Sequence, residues 1–306
     1  MVPKVLVIGS SNTDLVVHTP RLPLAGETLL GGTFFTAAGG KGANQAVAAA
    51  RAGADVTFIA RVGQDDYGQQ TLSNLAKEHI SCEFIIADPD MPSGVAFIVV
   101  DEKGENSIVV ASGANAALSP VQLDAAEHAF LQADICLLQL ETPLETVTHA
   151  AQLAKQTETP VILNPAPATQ LPKEIWPLLD LITPNETETE ILTGIAPKTD
   201  QTAQESAQIL LDRGVQNVLI TLGARGALLV NKEQTLHVPA PQVNSRDTTA
   251  AGDTFNGALA CALASGTRLS DAIRFACAAG ALTVTKSGAQ PSIPTAHLIN
   301  QLLKNQ

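Results

Sequence analysis

Two carboxylates, Asp247 and Asp253, flank a run of small residues in Arg246-Asp-Thr-Thr-Ala-Ala-Gly-Asp-Thr-Phe-Asn256, and an Ala-rich apolar segment follows at 257–264. Small residues at a helix start let a ligand approach the backbone and leave the first N–H groups free. Those N–H groups and the helix dipole form an anion site. A carboxylate at the same point would repel a bound phosphate, so Asp253 needs a task. One task is to take a proton from a hydroxyl while the N–H groups hold charge on a transferring phosphoryl group. The other is to cap its own helix, since Asp is a favoured N-cap.

A second constellation is Ala38-Gly-Gly-Lys-Gly-Ala-Asn-Gln-Ala46. Its glycines, Gly40 among them, permit close backbone approach at a helix start, and Lys41 and Asn44 add donors for hydroxyls or a phosphate. A tight turn with a solvated Lys41 is the plainer alternative. The segment is no Walker A loop: Phe35 stands where the first Gly should be and Gly42 where Ser or Thr should follow the lysine. Gly9-Ser-Ser-Asn-Thr-Asp14 follows the first apolar run and lacks a dinucleotide-binding glycine fingerprint. Asn12 and Asp14 there would hold vicinal hydroxyls or form a turn. Glu141 occupies a comparable position after the run at 135–139. In Thr183-Pro-Asn-Glu-Thr-Glu188, Asn185 and Glu188 share a helix face, suited to a hydrated Mg²⁺ or to the helix dipole. Thr221-Leu-Gly-Ala-Arg-Gly226 turns tightly, either as a plain hairpin or as part of a nucleotide pocket.

Chemistry of this kind needs a scaffold. Short apolar runs at 5–8, 56–60, 135–139, 161–164, 181–183 and 218–221 alternate with helical patterns at 43–51, 69–79, 120–130, 144–155 and 203–213. That alternation predicts an α/β fold with a largely parallel sheet and helices on both faces. The candidate residues follow strands, where open parallel sheets bind ligands. Ser119-Pro-Val-Gln122 has the spacing of a capping box. Residues 12–36 and 94–111 break the rhythm and predict a small antiparallel β lid. Its edges call for cover by a ligand site or a second subunit. The expected organisation is one domain over 1–306, with no internal repeat or long linker.

The 306 residues are 45% hydrophobic and 3% aromatic, with a formal net charge of −12. Such acidity argues against nucleic acid or an anionic membrane as partner, although backbone N–H groups still allow one small phosphate ligand. The four cysteines form no C-x-x-C pair and the six histidines show no metal spacing. No apolar run approaches the ~20 residues of a membrane span. Reduced thiols and the absence of a leader pattern make a soluble, cytoplasmic chain the expectation.

The glycine motif and the Ala250-Ala-Gly-Asp-Thr-Phe-Asn-Gly-Ala258 motif resemble the two signatures of the ribokinase-like (PfkB-type) carbohydrate kinase family. Agreement extends through Gly113-Ala-Asn-Ala-Ala-Leu-Ser-Pro120, Asn164-Pro-Ala-Pro-Ala168 and Gly288-Ala-Gln-Pro-Ser292, nearly the whole chain. The resemblance implies ATP-dependent phosphorylation of the ribose 5-hydroxyl. It implies Asp253 as base, with Ala250, Ala251 and Gly252 in the anion hole. Asn12, Asp14, Gly40, Lys41, Asn44 and Glu141 would hold the sugar. Asn185, Thr221, Gly223, Gly226, Gly252 and Cys277 would line the nucleotide site, and Asn185 with Glu188 would organise Mg²⁺ through water. A monovalent cation, usually K⁺, would sit near Asp247, Thr249, Thr283, Lys286, Gly288 and Ser292, several of them acting through carbonyls. A homodimer through the lid is implied too. Cys277 stands where a family member carries a polar imidazole near adenine, and Ser11 and Thr13 replace apolar residues beside the sugar motif. A related kinase of deoxyribose, fructose or a nucleoside, a silent sugar-binding protein and a nicotinamide oxidoreductase are the competing readings.

Overall fold

Strand β1 (Lys4–Ile8) carries an unbroken apolar run because it is covered on both faces: Val5 and Val7 enter one core, Leu6 and Ile8 the other. The computed structural model describes residues 2–305. The chain continues through β2 (Asn12–His18), β3 (Thr33–Gly39), α1 (Lys41–Ala52), β4 (Asp55–Gly63), α2 (Asp66–Lys77), β5 (Ile85–Asp88), β6 (Gly94–Val100) and β7 (Asn106–Ala111). There follow α3 (Pro120–Asp124), α4 (Glu127–Gln132), β8 (Ile135–Leu138), α5 (Leu144–Gln156), β9 (Val161–Leu163), β10 (Leu181–Ile182), α6 (Glu186–Thr193) and α7 (Asp200–Asp212). The last part holds β11 (Asn217–Thr221), β12 (Ala227–Asn231), β13 (Thr235–Val238), α8 (Ala251–Ala264), α9 (Leu269–Thr283) and α10 (Ala296–Lys304).

Nine strands form the main sheet in the order β13-β12-β11-β10-β9-β8-β1-β4-β5. From β5 to β11 every pairing is parallel, and the β11–β12 and β12–β13 pairings are antiparallel. Helices α1, α8 and α9 pack on one face, and α3, α4, α5 and α7 on the other. From β1 the chain builds outward in both directions, to β4 on one side and β8 on the other. That reversal opens a crevice beyond the carboxyl ends of these strands, where such sheets take ligands.

The lid is a separate four-stranded sheet, β3-β2-β6-β7. Its β2–β3 and β6–β7 pairings are antiparallel, whereas β2 and β6 run parallel, Asn12 opposite Gly94. Strand β7 is exposed along its length, including Ile108, Val109 and Val110.

Two local expectations need correction. The helix expected at 120–130 is divided into α3 and α4 by Ala126, which leaves helical geometry at φ −106°. The capping box expected at Ser119 and Gln122 does not form. The Gln122 amide instead donates across the core to the carbonyls of Ala60 (2.9 Å) and Phe84 (3.1 Å). The Ala60 carbonyl is buried and the Phe84 carbonyl partly so, and pairing them takes precedence over the end of α3, where Ser119 is itself half-exposed.

Candidate active site

Helix α8 starts from Ala250, a non-glycine residue at φ 59°. This left-handed turn costs conformational energy in any residue with a Cβ. Ala251 N donates back to Thr248 O at 3.2 Å and Thr254 N to Ala250 O at 2.8 Å, which leaves the N–H groups of Gly252 and Asp253 without a backbone partner at the helix start. Asp253 is buried in this first turn and makes no capping bond. Its Oδ1 accepts from Gln45 Nε2 and its Oδ2 from Asn44 Nδ2, each at 3.0 Å. The capping role weighed for Asp253 is therefore excluded. Its carboxylate turns away from its own helix towards α1.

The sugar-side candidates come together where the base of the lid meets α1. Gly40, at φ 87°, turns the chain from β3 into α1, and a Cβ there would lie 2.6 Å from Asn12 N. Only glycine meets both conditions. Asn12 Oδ1 accepts from Asn115 Nδ2 at 2.8 Å, and Asn115 Oδ1 accepts from Ser11 N at 2.9 Å, which fixes the crossing from main sheet to lid. Glu141 Oε2 accepts from Ser10 Oγ (2.6 Å) and Lys41 N (3.0 Å). Burial, then the charges of Glu141 and Asp253, push the Asp14 carboxyl up to about 7. For Lys41, burial opposes its charge, but Asp253, Glu141 and Glu188 together outweigh it and hold the ammonium pKa above its ordinary value. Lys41 is half-buried, so it is not the fully solvated lysine of the plainer alternative. Asn44 Oδ1 is buried and has no hydrogen-bond partner, so it is an acceptor awaiting a donor.

A cavity of about 500 Å³ adjoins the first turn of α8. Asn185, Thr221, Gly223, Gly226, Gly252 and Cys277 all line it. Burial pushes the Cys277 thiol up to about 12, so it offers a neutral, weakly polar surface. Sequence reasoning missed the wall from Ala240 to Val243, together with Phe255, Gly280 and Ala281. Asn185 caps α6 in a reciprocal box with Glu188: Asn185 Oδ1 accepts from Glu188 N and Glu188 Oε2 from Asn185 N, both at 2.8 Å. Burial raises the Glu188 pKa, the Asn185 bond and Lys41 oppose this, and Asp253 adds to it. The box engages one oxygen of each side chain and leaves the second Glu188 oxygen for a hydrated cation. A Mg²⁺ carried by a nucleotide keeps most of its waters, so this donor set fits it.

Asp247 ties two loops together. It accepts from Thr249 N (2.9 Å), Thr249 Oγ1 (2.6 Å) and Gly288 N (2.8 Å). Burial works to raise its pKa, but these bonds outweigh burial and hold the carboxyl below its usual range. Arg246 N and Asp247 N both donate to Val284 O. The hydroxyls of Thr283 and Ser292 donate to Ala279 O and Ala289 O, which leaves their oxygen lone pairs free. An anionic group among carbonyl-rich turns fits a monovalent cation. Lys286 could serve only through its carbonyl, because its ammonium would repel the ion.

The sequence matches the model of the pfkB family carbohydrate kinases over residues 2–296. It is 48% identical to a ribokinase of Haemophilus influenzae over 94% of each chain. A deoxyribokinase of Salmonella typhi is 39% identical over 98% of each chain. Among solved structures, the Arabidopsis thaliana ribokinase complexed with ribose and ATP superposes with a TM-score of 0.94 at 34% identity, covering 99% of both chains. A Thermotoga maritima ribokinase gives 0.89 at 40% identity, covering 99% of this chain and 100% of that one. With its whole length matched in this way, the chain belongs to the pfkB family of carbohydrate kinases.

Proposed function

We propose that this chain transfers the γ-phosphoryl group of ATP to the 5-hydroxyl of D-ribose, giving D-ribose 5-phosphate and ADP. The observation that carries the reading is the buried Asp253 carboxylate, held by the amides of Asn44 and Gln45 in the first turn of a helix whose Ala251 and Gly252 line the cavity, with Asn44 Oδ1 left unpartnered. Ribose is favoured over deoxyribose because the ribokinase relative is closer in sequence than the deoxyribokinase relative. In this reading residues 1–306 act as one kinase domain whose lid strands form a wall of the sugar site.

Asn12, Asp14, Gly40, Lys41, Asn44 and Glu141 hold the sugar with its 5-hydroxyl towards Asp253. Asp253 takes the hydroxyl proton as the oxygen forms its bond to the γ-phosphorus and the β,γ-bridging bond breaks, with the electron pair leaving on ADP. In the turn from Ala250 to Asp253, the unpartnered backbone N–H groups of Gly252 and Asp253 hold charge on the transferring group, and Lys41 adds a cation. Bound near Asn185 and Glu188, Mg²⁺ would neutralise phosphate charge. A K⁺ held near Asp247, Thr249, Thr283, Lys286, Gly288 and Ser292 would stabilise the loop that leads into α8. The lid excludes water that would otherwise consume ATP.

A coupled ADP-release assay with MgATP tests the reading, comparing ribose, deoxyribose, fructose and adenosine with and without K⁺. Highest kcat/KM with ribose, raised by K⁺, is expected. Turnover with another acceptor alone would move the substrate, and unchanged rates with K⁺ would remove the cation site.

Asp14 gives the sugar affinity a pH dependence of definite sign. Its pKa of about 7 means the free site is protonated below that pH. Sugar hydroxyls donate best to the ionised carboxylate, so binding expels the proton. Ribose affinity should be flat above pH ~7 and weaken below it, approaching about tenfold per pH unit. Calorimetry between pH 6 and 8 checks this, and Asp14→Asn should abolish the slope. A flat wild-type profile would remove Asp14 from the sugar site.

The exposed apolar side chains of the lid, among them Phe34, Phe97 and Val109, support a homodimer formed lid to lid. Light scattering should give twice the chain mass, and Val109→Asp should return it to one. The reading includes a cytoplasmic location, which the four free cysteines suit.

A further inference from the structure

Asp253 sits where a carboxylate is drawn to the N–H groups and dipole of its own helix. Were it to fold back, it would occupy the N–H groups that the transferring phosphoryl group needs. What holds it away is a buried polar chain that begins at a backbone carbonyl. Thr183 O can only accept, and Asn164 Nδ2 donates to it at 3.2 Å. Asn164 Oδ1 must therefore face Gln45, whose Nε2 donates to it at 3.0 Å. The same Gln45 nitrogen donates its other hydrogen to Asp253 Oδ1 at 3.0 Å. Gln45 Oε1 then accepts from Gln139 Nε2 at 2.7 Å. Reversing the Gln45 amide would set its oxygen against both Asn164 Oδ1 and the Asp253 carboxylate, so the chain has one orientation.

The same strand end also holds the backbone of the turn. Thr183 Oγ1 donates to Asn256 Oδ1 at 2.6 Å, and Asn256 Nδ2 donates to Gly252 O at 2.8 Å. The ends of β8, β9 and β10 thus reach α8 through α1 and directly. Gln45 is 0% exposed, so neither sugar nor nucleotide touches it.

We propose that Gln45 is a positioning residue for phosphoryl transfer: its carboxamide, locked between Asn164 and Gln139, keeps the Asp253 carboxylate aimed at the sugar hydroxyl and off the anion site. The role rests on the kinase reading above. Asn44, the other donor to Asp253, keeps an acceptor for the sugar; Gln45, buried away from both substrates, reaches the reaction only through Asp253.

The test compares wild type, Gln45→Leu and Gln45→Glu in the ribose assay, with thermal unfolding and ADP binding as checks of the fold. Gln45→Leu should lower kcat about 10²-fold, the loss expected for a misplacement near 1 Å, with the ribose KM within about threefold. Gln45→Glu places a second carboxyl beside Asp253, and two such groups titrate as a coupled pair. The pH profile of kcat should then gain an ionisation that wild type lacks, whereas a purely structural defect would lower the rate equally at every pH. A kcat for Gln45→Leu within threefold of wild type, or a Gln45→Glu profile parallel to wild type, overturns the proposal. If Gln45→Leu fails to fold, the Gln45→Glu profile decides. No turnover by wild type with any of ribose, deoxyribose, fructose and adenosine overturns the kinase reading itself, and with it the basis for a role in transfer.

Discussion

Asp253→Asn should remain folded and lose about 10²–10⁴-fold in kcat, the range for removing a general base, with the ribose KM near wild type. The geometry makes this a discriminating change. Both carboxylate oxygens accept from amide nitrogens, Asn44 Nδ2 and Gln45 Nε2. An asparagine side chain has a single oxygen, so one of these donors must face another N–H group. Leaving one buried donor unsatisfied costs ~1–3 kcal/mol, which thermal unfolding would detect as a modest fall in Tm. A helix cap would behave differently: both stability and turnover would survive, since Asn caps as well as Asp. ADP release and unfolding measured on the same preparation separate the two. A kcat within threefold of wild type would remove Asp253 as the base.

Much of the architecture was legible because strands buried on both faces and amphipathic helices leave different periods. Val5 to Ile8 needed no context to be read as a covered strand. The main site motifs were legible because glycine, lysine and carboxylates are uncommon together at a helix start. What stayed hidden depends on distant partners. Gln45 lies inside a helical pattern and resembles an ordinary polar residue; its meaning comes from Asn164, Gln139 and Asp253, each remote in the chain. The segment from Ala240 to Val243 has no regular structure, so no periodicity marks it as a cavity wall. The parallel pairing of β2 with β6 joins two separate excursions from the main sheet, and no hairpin turn announces it. Gln122 misled for a related reason. Its spacing from Ser119 is local, but the carbonyls it satisfies belong to β4 and the approach to β5.

Helices α1 and α8 show how composition becomes chemistry. Both are rich in Ala and Gly, a poor choice for burying apolar area but a good one for bringing two backbones close. Gly257 sits at a close contact between them: a Cβ there would lie 2.5 Å from Ala48 Cβ and Gln45 O, and 2.8 Å from Ala49 N. Two of these three atoms are backbone, so no rotamer change relieves the contact. On helix propensity alone Gly257→Ala should stabilise α8 by about 1 kcal/mol. Overpacking of a close-packed core costs ~1–3 kcal/mol and should win, lowering Tm. The consequence for catalysis is larger than for stability. Asn44 and Gln45 lie on α1 and Asp253 on α8, so separating the helices lengthens the bonds that hold the base. A shift near 1 Å should lower kcat by about 10²-fold while the protein still folds and binds ADP. Raised Tm together with wild-type kcat in Gly257→Ala would mean that α8 can move without disturbing Asp253, and that the close packing of these helices serves stability alone.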